Sequence, residues 1–66
     1  MRRPVTSSNV SSIGWDEGTM EVEFVSGHIY EYHEVPESAY QALLGAESIG
    51  KELHAMKGRY QSTRLK

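Results

Sequence analysis

The fold is decided by residues 20–33, whose sequence is MEVEFVSGHIYEYH. In the first five positions apolar residues alternate with glutamates, which is the period-two pattern of a strand with one buried face. The last six positions form a second β-prone run that contains branched and aromatic residues. Residues 25–27 lie between the two runs and fit a three-residue hairpin loop with Gly27 in the left-handed conformation.

The length of this loop sets the register of the hairpin. A three-residue loop pairs Val22 with Tyr30 and Met20 with Tyr32, which places the large apolar residues and both tyrosines on one face. A two-residue loop would instead pair Val22 with Glu31. Because a shift of one residue turns every side chain to the opposite face, burial of the apolar set favours the three-residue loop. The glutamates of both strands then lie on the open face of the sheet.

On the N-terminal side, residues 10–15 predict another strand, with Ile13 and Trp15 on the apolar side. Residues 16–19 form the turn into the hairpin, with a loop of two or four residues. The preceding segment, residues 1–8, is polar and mixed in composition. We interpret it as a flexible N-terminal tail.

On the C-terminal side the apolar period changes to that of helices. Pro36 is tolerated at the first position of a helix, and Gly45 is a suitable end for it. A second helix is predicted from Ser48, as its N-cap, to Gly58. Since both helices are short, packing on the sheet must stabilise them. The predicted fold class is α+β, a three-stranded antiparallel β-meander with two short C-terminal helices packed on one face (β-β-β-α-α).

A chain of 66 residues is the length of one small domain. We predict this domain over residues 9–60, followed by a basic C-terminal tail at residues 61–66. The absence of cysteine excludes disulfides and thiolate zinc sites, and the three histidines are too widely spaced to predict a metal site. The sequence has neither an apolar run of about 20 residues nor a signal-peptide pattern, so we expect a cytoplasmic protein.

The net charge of −2 hides a strong asymmetry along the chain. Residues 1–50 contain eight acidic residues against two arginines, which gives −6, whereas residues 51–66 contain five basic residues against one glutamate, which gives +4. The acidic open face of the hairpin should repel phosphate. Nucleic acid would therefore be bound by the second helix and the segment after it. The candidate nucleic-acid-binding residues are Lys51, Lys57, Arg59, Tyr60 and Arg64.

These candidates also have simpler explanations. Basic residues near a terminus promote solubility and favour the negative end of a helix dipole, where Lys57 and Arg59 are placed. Tyr60 would stack on a base between these cations, or it would pack back on the sheet and close the domain. The tyrosines of the hairpin, Tyr30 and Tyr32, are more simply explained as core residues than as a stacking platform.

We find no constellation of residues that indicates catalysis. Glu21, Glu23 and Glu31 are predicted to lie on a solvated face, whereas a catalytic acid needs a pocket that raises its pKa. The serines lack the surroundings of a nucleophile. The glycine-containing residues 45–50 have neither a preceding strand nor the Gly-Lys-Ser/Thr ending of a phosphate-binding loop. We therefore expect no enzymatic activity and no cofactor.

A succession of motifs runs through the chain: Val10-Ser11-Ser12, Ile13-x-Trp15, Met20-x-Val22-x-Phe24, Tyr30-x-Tyr32, Val35-Pro36, Ser48-x-Gly50-Lys51 and Lys57-Gly58-Arg59-Tyr60. This succession resembles the KTSC domain, a short module named for the C-terminus of certain lysyl-tRNA synthetases and also found as free-standing bacterial and phage-type proteins. Among the family's motif positions we interpret Tyr30, Tyr32 and Gly58 as structural. The resemblance implies RNA binding, because of the association with the synthetase.

The residues and the resemblance together predict a small non-catalytic binding module that contacts RNA or another nucleic acid through its basic C-terminal segment. The alternative is a protein-interaction adaptor or inhibitor. Such a protein would dock a basic partner with its acidic sheet face or its edge strand, or it would self-associate. The two hypotheses place the binding surface on residues of opposite charge.

Overall fold

Five strands and two helices follow one another along residues 2–66, the part of the chain that the computed structural model describes. In chain order they are β1 (Arg3–Pro4), β2 (Val10–Asp16), β3 (Thr19–Phe24), β4 (Ile29–Tyr32), α1 (Glu37–Leu44), α2 (Ile49–Lys57) and β5 (Ser62–Arg64). The strands form one sheet in the order β1-β2-β3-β4-β5, with each strand antiparallel to its neighbours. The α+β class, the antiparallel sheet and the two helices are confirmed.

The predicted number of three strands was wrong. β1 lies within residues 1–8, which we expected to be a flexible tail, and β5 lies within residues 61–66, which we expected to be a basic tail. Both strands are very short and all their side chains are exposed, so neither shows the alternation of apolar and polar residues that marks a strand. Backbone pairing with β2 and β4 places them at the two edges of the sheet.

The register of the central hairpin is confirmed. Met20 lies opposite Tyr32 and Val22 lies opposite Tyr30. Gly27 has a φ of +100°, and its N–H donates to the Phe24 carbonyl over 2.9 Å, which closes the predicted three-residue loop. The large side chains of the hairpin therefore share the face that the helices cover.

The turn between β2 and β3 is a two-residue loop with positive φ at both positions. Glu17 has a φ of 47° and Gly18 a φ of 88°, the conformation whose twist suits a tight hairpin. The Gly18 carbonyl also accepts the Val35 N–H over 2.7 Å. This turn therefore holds the chain where it leaves the sheet to enter α1.

The helix boundaries agree with the prediction except at the start of α1. Pro36, predicted at the first helical position, is instead the N-cap in an extended conformation, and α1 begins at Glu37 and ends before Gly45. The hydroxyl of Ser48 accepts the Lys51 N–H over 3.3 Å at the start of α2, and Gly58 follows its last turn. The helices and the inner sheet face enclose the core, which consists of Val10, Ile13, Met20, Val22, Tyr32, Val35, Leu43, Ile49, Leu53 and Met56. Neither helix in the described part of the chain is long and apolar enough to cross a membrane.

Candidate nucleic-acid interface

Three exposed cations lie at the end of α2 and in the segment after it, and we call them the basic cluster: Lys57, Arg59 and Arg64. Lys57 is the last residue of α2, and Arg59 follows the helix end at Gly58. Arg64 lies in β5 directly opposite Tyr30. Since residues that lie opposite each other in a sheet share a face, the side chain of Arg64 projects on the same side as Tyr30.

Among residues 2–66, no carboxylate lies within 4.0 Å of a cation of the basic cluster. The ion pair found in this part of the chain joins Arg2 Nη1 to Glu21 Oε1 over 3.2 Å and is outside the cluster. An exposed lysine or arginine without an internal partner keeps its charge and its hydrogen-bond donors free for another molecule. Phosphate oxygens are the usual acceptors for such groups on nucleic-acid-binding proteins.

The structure separates Lys51 from the rest of the predicted interface. Lys51 lies in the first turn of α2, six positions before Lys57. At about 100° per residue, the two side chains point roughly 120° apart around the helix axis. Lys51 instead borders a shallow depression that also includes Glu47. Lys51 therefore has the same charge as Lys57 and lies on the same helix, but it is outside the basic cluster.

Tyr60 is half-buried and packs against the core. Its N–H donates to the Met56 carbonyl over 3.2 Å, so the chain continues to turn after the end of α2. This placement agrees with the interpretation in which Tyr60 closes the domain. Its ring is consequently less available to a base than an exposed tyrosine would be.

A groove of 680 Å³ lies beside the basic cluster, between α2 and the end of the β3–β4 hairpin. Its floor is formed by apolar and aromatic side chains, and Phe24 and Tyr30 meet there edge to face with ring centroids 5.6 Å apart and an angle of 89° between the planes. Both rings are half-buried. Lys57 and His54 line the groove on the α2 side, and His28 lines it on the hairpin side.

The aromatic residues of this groove were predicted to belong to the core, and the groove itself was not predicted from the sequence. The prediction gave the correct face of the sheet for Phe24 and Tyr30 but not how far the helices cover that face. α2 has nine residues, which corresponds to a length of about 13 Å. The residues at the hairpin end therefore stay partly open to solvent.

Tyr32 is the most deeply buried aromatic residue of the groove, with 1% of its surface exposed. Burial raises the pKa of its hydroxyl above the ordinary value of 10.0, and the neighbouring Tyr30 raises this pKa further. The hydroxyl therefore stays protonated at neutral pH. Within residues 2–66, no backbone or side-chain group makes a hydrogen bond with it.

Two histidines connect β4 and its flanking residues to the C-terminal segment. His33 Nε2 lies 2.9 Å from the Thr63 hydroxyl, and His28 Nδ1 lies 3.2 Å from the Lys66 carbonyl oxygen. These contacts hold the residues around β5 against the sheet and thereby position Arg64. Among the described residues, no group of three or more His, Cys, Asp or Glu side chains is arranged to hold a metal ion.

The face of the sheet turned away from the helices is acidic. Glu21 lies directly opposite Glu31 in the β3–β4 register, and Glu23 accepts a hydrogen bond from the Ser12 hydroxyl over 3.1 Å. Arg2 is close to Glu21 but is not aligned to form a hydrogen bond with it. The molecule is thus polarised, with carboxylates on the open sheet face and the basic cluster at the groove.

Comparisons with known proteins agree with this architecture. The KTSC domain model matches residues 6–61, which confirms the resemblance described above. An uncharacterized protein from Stutzerimonas stutzeri is 42% identical over 55 residues, which cover 80% of this chain and 78% of the relative. A protein from Tsukamurella paurometabola is 35% identical over 66 residues, and the alignment covers 96% of this chain and 98% of the relative. The crystal structure of a KTSC domain protein from Yersinia pestis superposes with a TM-score of 0.91 at 34% identity, covering 100% of this chain and 97% of that one.

Proposed function

The chain belongs to the KTSC domain family, and from its surface we propose that it is a non-catalytic module that binds single-stranded nucleic acid. The observation that carries this proposal is the basic cluster, whose exposed cations have no carboxylate partner in the described part of the chain. Counterions released when Lys57, Arg59 and Arg64 neutralise phosphates would supply the favourable free energy of binding.

The charge of the opposite face supports the same orientation of the protein on a nucleic acid. Glu21, Glu23 and Glu31 lie on the outer sheet face, and a row of carboxylates repels a phosphate backbone. A polarised molecule is turned by this field during its approach, so that the basic cluster meets the strand first.

The same residues support a non-catalytic role. The carboxylates of the sheet lie on an open face and not in a pocket that could hold a substrate. The raised pKa of Tyr32 moves it further from the neutral range in which a general acid or base works best.

The test is the salt dependence of binding to a fluorescently labelled single-stranded RNA of about 12 nucleotides, a length within the range that one small binding domain covers. Three phosphate contacts predict a slope of about −2 in a plot of log affinity against log salt concentration. The double variant Lys57→Glu/Arg59→Glu is expected to lose binding at every salt concentration. Anisotropy of the labelled RNA measures both effects.

The matched control for this experiment is Lys51→Glu, which reverses a charge on the same helix outside the basic cluster. Wild-type affinity within about threefold is expected for this variant, because the phosphate contacts remain in place. Absence of binding at low salt would rule the proposal out. An equal loss of affinity in Lys51→Glu would show that net charge, and not the basic cluster, governs the interaction.

A second candidate function is a protein adaptor that uses the acidic face. Directly opposed glutamates are unfavourable in a sheet, and Glu21 and Glu31 face each other in the β3–β4 register. A basic partner would relieve this repulsion. Titration with a lysine-rich peptide distinguishes the two functions, because the amides of Glu21 and Glu31 would shift in place of those around Lys57.

A further inference from the structure

We infer that the groove between α2 and the β3–β4 hairpin binds one unstacked base of a single strand whose phosphates lie on the basic cluster. This inference rests on the proposed function and adds the place where the strand's bases make contact. The volume of the groove, 680 Å³, falls within the roughly 300–1,000 Å³ of typical small-molecule sites.

The floor of the groove is suited to a flat aromatic ligand. Phe24 and Tyr30 are half-buried there and meet edge to face, an arrangement that leaves a ring face available for stacking. Every base has a face that can stack on an aromatic side chain. Val25, which is 64% exposed, lines the same groove and extends its apolar surface toward solvent.

The Tyr32 hydroxyl supplies a hydrogen-bond donor at the bottom of the groove. The residue is 1% exposed and lines the groove, and its hydroxyl has no partner among residues 2–66. Since this hydroxyl is not among the buried atoms left without a partner, it reaches the solvent of the groove and is accessible to a ligand. The edge of a base carries carbonyl and ring-nitrogen acceptors, and such an acceptor would satisfy this donor.

The cations beside the groove favour an anionic ligand. Lys57 lines the groove and also belongs to the basic cluster, and His54 lies one turn earlier on the same face of α2. Arg64 projects beside Tyr30 on the sheet side. In a single strand every base is flanked by phosphates, so a base on Tyr30 would bring phosphates within reach of Lys57 and Arg64. A neutral aromatic ligand would gain no electrostatic free energy from these cations.

The experiment compares two strands with the same number of phosphates. The intact protein is titrated with a short oligoadenylate RNA and with a fully abasic strand of equal length. The intact strand is expected to bind about tenfold more tightly, because stacking of one base contributes that much affinity. NMR spectra are expected to show shifts of the Phe24, Tyr30 and Tyr32 ring protons with the intact strand, and shifts limited to the basic cluster with the abasic strand.

Two variants test the groove without altering the phosphate contacts. Tyr30→Leu is expected to bind the intact strand only as tightly as the wild-type protein binds the abasic strand. Its affinity for the abasic strand is expected to equal that of the wild type. Tyr32→Phe removes one hydroxyl and is expected to lower only the affinity for the intact strand. Amide spectra of both variants establish that the fold is retained.

The outcomes separate this inference from the proposed function. Equal affinity for the two strands without ring shifts would overturn the groove assignment and leave the basic cluster as the whole binding surface. Failure of both strands to bind would overturn the proposed function and the groove assignment together. Adenosine monophosphate binding as tightly as the oligonucleotide would assign the groove to a free nucleotide. Ring shifts produced instead by an acidic peptide with an aromatic residue would assign it to a protein partner.

Discussion

The two ends of the helix-covered sheet face contain similar aromatic residues but pack them differently. At the α1 end, Trp15 stacks on Tyr40 with ring centroids 6.3 Å apart, and its indole N–H donates to the buried carbonyl of Val35 over 2.7 Å. We call this the closed end. At the groove end, beside α2 and the hairpin loop, Phe24 and Tyr30 meet edge to face. The rings at both ends are half-buried, so the hydrogen bond of Trp15 is what distinguishes the closed end.

The difference between the two ends indicates which aromatic residues serve the fold. At the closed end, the indole N–H and the carbonyl that accepts it satisfy each other, so a further ligand would have to displace an existing contact. At the groove end the hydroxyl of Tyr32 has no partner within residues 2–66, and cations border the open rings. Stability should therefore depend on the closed end, and binding on the groove end.

The largest expected effect is on stability at the closed end. Trp15→Leu removes the stacking partner of Tyr40 and leaves the buried carbonyl of Val35 without its donor. The expected loss is about 2–4 kcal/mol in the free energy of unfolding. A core of this size rarely supplies more than about 3–5 kcal/mol, so much of the variant should be unfolded at 25 °C. Urea unfolding followed by circular dichroism measures the change.

The matched variant at the groove end is Tyr30→Leu. It loses one edge-to-face contact with Phe24 but buries no unsatisfied polar group, so its expected cost is about 1 kcal/mol. A cost equal to that of Trp15→Leu would remove the distinction between the two ends, because it would show that the rings of the groove contribute equally to the fold.

The parts of this comparison that depend on periodicity could be predicted from the sequence. The alternation around Val22 and the loop at Gly27 determine the register of the hairpin, because any other register would bury glutamates. Ser48 and Gly58 mark the ends of α2 because short polar and glycine side chains satisfy or terminate helix ends. The separation of Lys51 from Lys57 could also be predicted, since helical geometry places residues six positions apart on different faces.

The groove and the edge strands could not be predicted in this way. Phe24 and Tyr30 are assigned to the inner face by their period, but their exposure depends on how far α2 extends over the sheet, which is a property of packing. The edge strand β5 pairs through its backbone, and backbone hydrogen bonds leave no pattern in the side chains of Ser62, Thr63 and Arg64.

A smaller effect is expected from a variant that loosens β5 and so disturbs only the groove end. Thr63 lies opposite Glu31, two positions from the His33 N–H that donates to the Gln61 carbonyl. By the antiparallel pattern, Thr63 and Glu31 are therefore a hydrogen-bonded pair. Thr63→Pro removes this donor and should cost about 1 kcal/mol.

Hydrogen exchange should show the loss of protection in residues 62–66, while the amides around Trp15 stay protected. Affinity for the single-stranded RNA should fall several-fold, because Arg64 is no longer held beside Tyr30. Thr63→Ser keeps both the backbone donor and the hydroxyl that contacts His33, and it is the control. Unchanged RNA affinity in Thr63→Pro would show that the pairing of β5 is not needed to position Arg64.

The smallest effect at neutral pH is expected from Tyr32→Phe, which removes a hydroxyl that has no partner within residues 2–66. The free energy of unfolding should change by less than about 1 kcal/mol. At alkaline pH the two proteins should diverge. The pKa of Tyr32 is raised above 10.0 in the folded protein by burial and by Tyr30, so the unfolded chain loses this proton first.

Ionisation then favours unfolding, and the wild-type protein should lose stability as the pH rises above 10.0 and through the folded-state pKa of Tyr32. Tyr32→Phe lacks this contribution, so its stability relative to the wild type should be constant below that range and increase within it. Urea midpoints measured for both proteins at neutral and alkaline pH give the difference and cancel the titration of the other tyrosines and the lysines. A constant difference at all pH values would mean that water or another group solvates the hydroxyl as well as bulk solvent does. The groove would then lack the desolvated hydroxyl that distinguishes it from the closed end.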